Sequence, residues 1–153
     1  ARIAAEDAVL RARHRCAQAG RSPVTVADTN VVAYLFLEGE FTAPAEALLQ
    51  HDAEWVAPVL WRSELRSILA GYLRRRALTF DQARSIQAEA ESLLAGGEFD
   101  VDSASVLELV RDSDCSAYDC EFVALALSLD VKLVTMDEKL LTAFPKHTVA
   151  LSR

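Results

Sequence analysis

Residues 116–141 read SAYDCEFVALALSLDVKLVTMDEKLL. Residues 118–129 have the pattern of a helix, and Ser116 stands three residues before Asp119, the spacing of a box that caps a helix start. The apolar run 122–127 sets that helix against a core. A short β-prone strand over 131–135 follows, then a short helix over 137–144. Short apolar strands set between helices belong to a parallel sheet covered on both faces, because a strand buried on both sides has no polar face to alternate with. Asp119 and Asp137 therefore both abut the predicted core.

The same alternation continues outward from this stretch. Residues 24–27 (VTVA) form a strand stopped by Asp28-Thr29-Asn30, and a helix over 31–37 follows. A helix over 42–51 and a strand over 54–57 come next. Residues 58–76 are a strong helix, with Leu65, Ile68, Leu69, Tyr72 and Leu73 on one face. A helix over 80–95 closes at Gly96-Gly97, a weak strand covers 99–101, a helix covers 103–111, and a last strand covers 148–151. The expected class is α/β with a parallel sheet, in which the ligand crevice lies beyond the carboxyl ends of the strands. Ahead of all this, Ala4, Ala8, Val9, Ala12 and Cys16 recur at helical spacing, and Gly20, Ser22 and Pro23 end the segment. The chain thus divides into an N-terminal amphipathic helical extension, 1–22, and a main domain, 23–153.

With 153 residues, 52% of them hydrophobic, one domain can bury a real core. No run is apolar enough to span a membrane, and the arginine-rich opening is not the apolar run of a secretory signal. Three cysteines, Cys16, Cys115 and Cys120, have no CxxC spacing, which argues against zinc and suits free thiols in the cytoplasm. The net charge of −7 is unpromising for a nucleic-acid binder, but its distribution is uneven: residues 1–23 carry +3 and the remainder −10. Arg74, Arg75 and Arg76 form a second basic knot, readable as a helix end favoured by the dipole or as a grip on RNA. An acidic chain still engages phosphates when its carboxylates gather around a divalent ion.

Four carboxylates fit that description. Asp28 and Asp137 follow strands, Asp119 opens a helix, and Glu64 sits about two turns into the strong helix. Brought together, they would repel one another and raise their pKa values unless a cation sat between them. Oxygen-only ligation suits magnesium or manganese, and such ions serve phosphodiester hydrolysis. Each residue also has a plainer reading: Asp28, Asn30 and Asp137 as helix caps, Ser116 and Asp119 as a capping box, Glu64 as a solvated helix position. His14, His51 and His147 show no ligand spacing, and Ser63 and Ser116 lack a nucleophile elbow. Neither GxGxxG nor GxxxxGK[ST] occurs.

At these residues the sequence resembles the PIN-domain family, and within it the VapC-like toxins of bacterial toxin–antitoxin pairs, over about residues 24–151. VTVADTN supplies an Asp-x-Asn after the first strand, WRSELRSIL the helical Glu64, SAYDCEFVALALSLD the Asp119 of a Tyr-Asp pair, and KLVTMDEKLL the final Asp137. The resemblance implies a three-layer α/β/α domain and magnesium- or manganese-dependent cleavage of RNA. It further implies that Asp28, Glu64, Asp119 and Asp137 form the catalytic metal site, with hydrogen-bonding support from Asn30, Thr135 and Ser116. A homodimer and a cognate antitoxin are the implied partners. The alternatives are a PIN nuclease of RNA processing, and a catalytically silent binding module. A phosphoacceptor or phosphatase domain is more remote, since DTN lacks the second Asp of a DxD nucleophile.

Overall fold

The protein is described from a computed structural model covering residues 24–152, so the helix expected over 4–18 and the boundary at 22/23 lie outside the described residues. Five strands, β1 (Thr25–Ala27), β2 (Trp55–Pro58), β3 (Glu98–Phe99), β4 (Leu133–Thr135) and β5 (Thr148–Ala150), form one sheet. Their order is β3-β2-β1-β4-β5 and every pairing is parallel. The helices are α1 (Thr29–Tyr34), α2 (Thr42–His51), α3 (Trp61–Arg74), α4 (Phe80–Leu93), α5 (Ser103–Arg111), α6 (Ala117–Leu129) and α7 (Glu138–Ala143).

Consecutive residues of β1, β2 and β4 are all buried. Side chains alternate across a strand, so unbroken burial means that both faces of the sheet are covered. One cover is α6, which packs on β1, β2 and β4 with α5 beside it. Cys120, Phe122, Val123, Ala124, Leu125, Ala126 and Leu129 of α6 are buried, so the helix is apolar nearly all round. The other cover is built from α1 to α4, which pack on one another. This is the expected three-layer arrangement. Among the described residues no helix is long and apolar enough to cross a membrane.

Two boundaries differ from the sequence reading in ways that bear on the site. The strong helix begins at Trp61, not near Pro58, because the Val59 amide donates to Phe99 O at 3.0 Å and keeps the chain in the sheet. Glu64 therefore lies in the first turn of α3 instead of two turns in. Helix α1 begins at Thr29, directly after Asp28, and not at Val31.

Candidate active site

The strand order reverses at β1, with β2 on one side and β4 on the other. Crossovers on the two sides of such a point leave the sheet in opposite directions and open a crevice at the carboxyl ends of the two strands. Asp28 follows β1 and Asp137 lies two residues past β4. A cavity of about 480 Å³ opens there, and its walls include Asp28, Glu64, Asp119 and Asp137.

Each carboxylate is held by its own local structure. Asp28 is only 8% exposed. It occupies the N-cap position of α1 but makes no side-chain cap bond; its Oδ2 instead accepts a hydrogen bond from the Thr135 hydroxyl at 2.6 Å. The same Thr135 oxygen accepts from the Asp137 amide at 3.0 Å, so one buried hydroxyl joins the ends of β1 and β4. Asp137 caps α7, its Oδ1 accepting from the Lys139 and Leu140 amides. Asp119 closes the capping box of α6: its Oδ2 accepts from the Ser116 hydroxyl at 2.7 Å, and its amide donates back to Ser116 Oγ. Glu64 accepts a short hydrogen bond from the Thr29 hydroxyl. Capping and site membership are therefore compatible for Asp119 and Asp137, since a cap uses one carboxylate oxygen and leaves the other.

Electrostatics bind the set together. Burial pushes Asp28 above the ordinary carboxylate range; the Thr135 hydrogen bond opposes this, and the charge of Asp137 adds to it. Burial likewise raises Glu64, Thr29 opposes, and the charges of Asp28 and Asp119 raise it further. The groups feel one another as a repelling cluster, whose natural neutraliser is a cation. The donor set is all oxygen, which suits a hard divalent ion. Among the described residues no three carboxylate, His or Cys side chains stand as a ready-made ligand group. Cys115 and Cys120 are buried free thiols.

The PIN-domain sequence profile matches residues 25–144. The chain belongs to the PIN-domain family. PIN domains are generally nucleases and typically use divalent metals. Among solved structures, this PIN domain is similar to PAE2754 from Pyrobaculum aerophilum, with 18% identity, 85% of each chain covered and a TM-score of 0.63. It is also similar to FitAcB from Neisseria gonorrhoeae, with 16% identity, 85% of this chain and 97% of that chain covered and a TM-score of 0.65. No curated protein matches it by sequence.

In this PIN domain Asn30 lines the cavity while the hydroxyl that meets Glu64 belongs to Thr29, which sequence reading passed over. Its signal was present in the middle residue of DTN, a hydroxyl at the first position of α1. Ser63, Ser67 and Tyr118 also line the cavity; all three stand inside the motifs quoted for Glu64 and Asp119, but the sequence reading gave them no role in the site. Ser63, Glu64 and Ser67 recur at helical spacing, so a face of α3 forms one wall.

Proposed function

We propose that this chain is a magnesium- or manganese-dependent endoribonuclease, and that it acts as the toxin of a toxin–antitoxin pair. The observation that carries the nuclease reading is the convergence of Asp28, Glu64, Asp119 and Asp137 on one cavity at the switch point of the sheet. Asp28, Glu64 and Asp119 would hold the ion, with Asp137 holding a second ion or orienting water. When bound, a divalent ion supplies Lewis-acid activation of water and charge stabilisation for in-line displacement at phosphorus. The chain's own residues do the positioning. Thr135 fixes the Asp28 carboxylate, Thr29 fixes Glu64, and Ser116 aims Asp119 through the capping box. Burial of Asp28 excludes water from one side of the cluster. A cavity whose walls are acidic admits a phosphate only once its charge is offset, so the ion would bind before the substrate or with it.

The motif resemblance to VapC-like toxins supports an antitoxin partner, a homodimer and an RNA substrate. The direct test is incubation with mixed RNA in Mn²⁺ or Mg²⁺, against EDTA and against Asp119→Asn. Cleavage that needs the ion and is lost in Asp119→Asn is the expected result, since a neutral amide is a poor ligand for a hard cation. Cleavage surviving in EDTA or in Asp119→Asn would refute the mechanism. For the toxin role, expression in a bacterial host should arrest growth, and Asp119→Asn should relieve the arrest; equal growth of both strains would count against it.

A further inference from the structure

The basic knot at the end of α3 has a geometry that a helix dipole alone does not call for. Arg75 lies eleven residues after Glu64, close to three whole turns, and so returns to the face of α3 that carries Glu64 and Ile68 into the cavity wall. Its side chain does not extend away from the fold. The guanidinium rests over the Tyr72 ring, 4.8 Å from the centroid. It also folds back one turn over Gly71, where an added Cβ would meet Arg75 Nη1 at 3.3 Å. The Cα–Cβ bond of a helix points towards its N-terminus, so the gap left by Gly71 lets the guanidinium point back along α3 towards the cavity.

Local chain geometry fixes this position. The Arg76 amide donates to Leu73 O and the Ala77 amide to Tyr72 O, the paired bonds of a Schellman end. Arg76 takes the left-handed position there, with φ 57°, where a glycine would avoid the steric penalty. Arg74, Arg75 and Arg76 are all exposed and make no ion pair among the described residues. Three positive charges with no ion-pair partner among the described residues thus sit at one end of a helix whose other end carries an acid of the cavity.

Resting on the ribonuclease reading, we propose that Arg75, seated on Tyr72 above Gly71, binds a backbone phosphate of a single-stranded RNA a few nucleotides from the bond that enters the cavity. The span suits this, because Arg75 lies about 16 Å along the axis from Glu64 before its side chain folds back. The planar guanidinium suits it too, since it presents paired donors to phosphate oxygens and stays charged while stacked on an aromatic ring. The Tyr72 ring restricts the guanidinium before RNA arrives, which lowers the entropy lost on binding.

The test uses the full chain carrying Asp119→Asn and a short fluorescein-labelled single-stranded RNA of mixed sequence, with affinity followed against salt at fixed magnesium. Arg75→Gln should weaken binding several-fold and reduce the slope of log K against log salt by about 0.7, the release expected for one phosphate contact on a single strand. Arg75→Lys should keep the slope but lose part of the affinity, because the charge remains and the stacked plane does not. Arg111→Gln removes an arginine paired with Asp112 on another helix and should leave both quantities unchanged. In the otherwise unaltered chain, Arg75→Gln should raise KM for RNA cleavage. If Arg75→Gln behaves like Arg111→Gln in slope and KM, the phosphate site is wrong while the nuclease reading stands; loss of a protein partner with RNA binding intact overturns the phosphate site in the same way. If the unaltered chain neither cleaves nor binds RNA, the nuclease reading falls and takes the phosphate site with it.

Discussion

Replacing Thr135 by Val removes one hydroxyl and nearly nothing else, because the two side chains have the same shape. Thr135 is fully buried, so no water takes over its bonds. Two bonds go: the one donated to Asp28 Oδ2 at 2.6 Å and the one accepted from the Asp137 amide at 3.0 Å. A bond to a charged group is worth about 1.5–3 kcal/mol and a neutral one about 1 kcal/mol, so Thr135→Val should cost roughly 3 kcal/mol. Some gain from burying an extra methyl offsets this by less than about 1 kcal/mol. For a domain of this size that is a fall in Tm of roughly 6–12 °C. Thr135→Ser is the control, since it keeps the hydroxyl and loses a buried methyl worth about 1 kcal/mol. Urea denaturation in EDTA, so that no ion contributes, gives both values directly. Cleavage should also fall further in Thr135→Val than in Thr135→Ser, because Asp28 loses the donor that aims it. If Thr135→Ser proves the more destabilising of the two, packing holds the strand ends together and the hydrogen-bond bridge does not.

Saturating Mg²⁺ or Mn²⁺ should raise the melting temperature, by an amount equivalent to about 2.7 kcal/mol at a hundredfold excess over Kd. Asp28→Asn should shrink that rise while making the metal-free protein more stable, since burial and the charge of Asp137 both oppose an ionised Asp28; a less stable metal-free variant would contradict this. The Arg62 side chain, with help from the Trp61 indole, holds the Glu98 carboxyl below the ordinary range. The stabilisation from that pair is therefore present above the unfolded pKa of Glu98 and is lost as pH falls through its lower folded value, so Glu98→Gln should flatten the acid limb of the stability curve. A Cβ on Gly97 would meet the Trp55 carbonyl oxygen at 2.5 Å. Because backbone cannot swing aside, Gly97→Ala should cost about 1–3 kcal/mol in chemical denaturation, and unchanged stability would show that β2 and its neighbouring turn can separate freely.

Sequence by itself determined the local elements of this protein. The strands and helices between residues 25 and 150 fall close to their expected places, and the capping box of Ser116 and Asp119 forms as its spacing requires. These features depend on neighbours within a turn or a strand, so propensity, periodicity and capping are written in a few adjacent residues. The acids at strand ends were legible for the same reason. Tertiary structure alone decided which of those ends meet. The Thr135 bond to Asp28 spans 107 residues of chain, and it exists because β1 pairs with β4 at the reversal of strand order. The start of α3 at Trp61 was set by the Val59 bond to Phe99, a contact from another strand. Thr29 reached Glu64, and Thr135 reached Asp28, only once α1, α3 and β4 were packed together. Arg75 likewise needed the gap above Gly71 and the ring of Tyr72 before its direction was fixed. Residue types and their spacing in sequence carry short-range bonding, whereas the partner a buried polar group finds across the core is set by packing, because that partner comes from whichever distant segment the close-packed interior brings alongside.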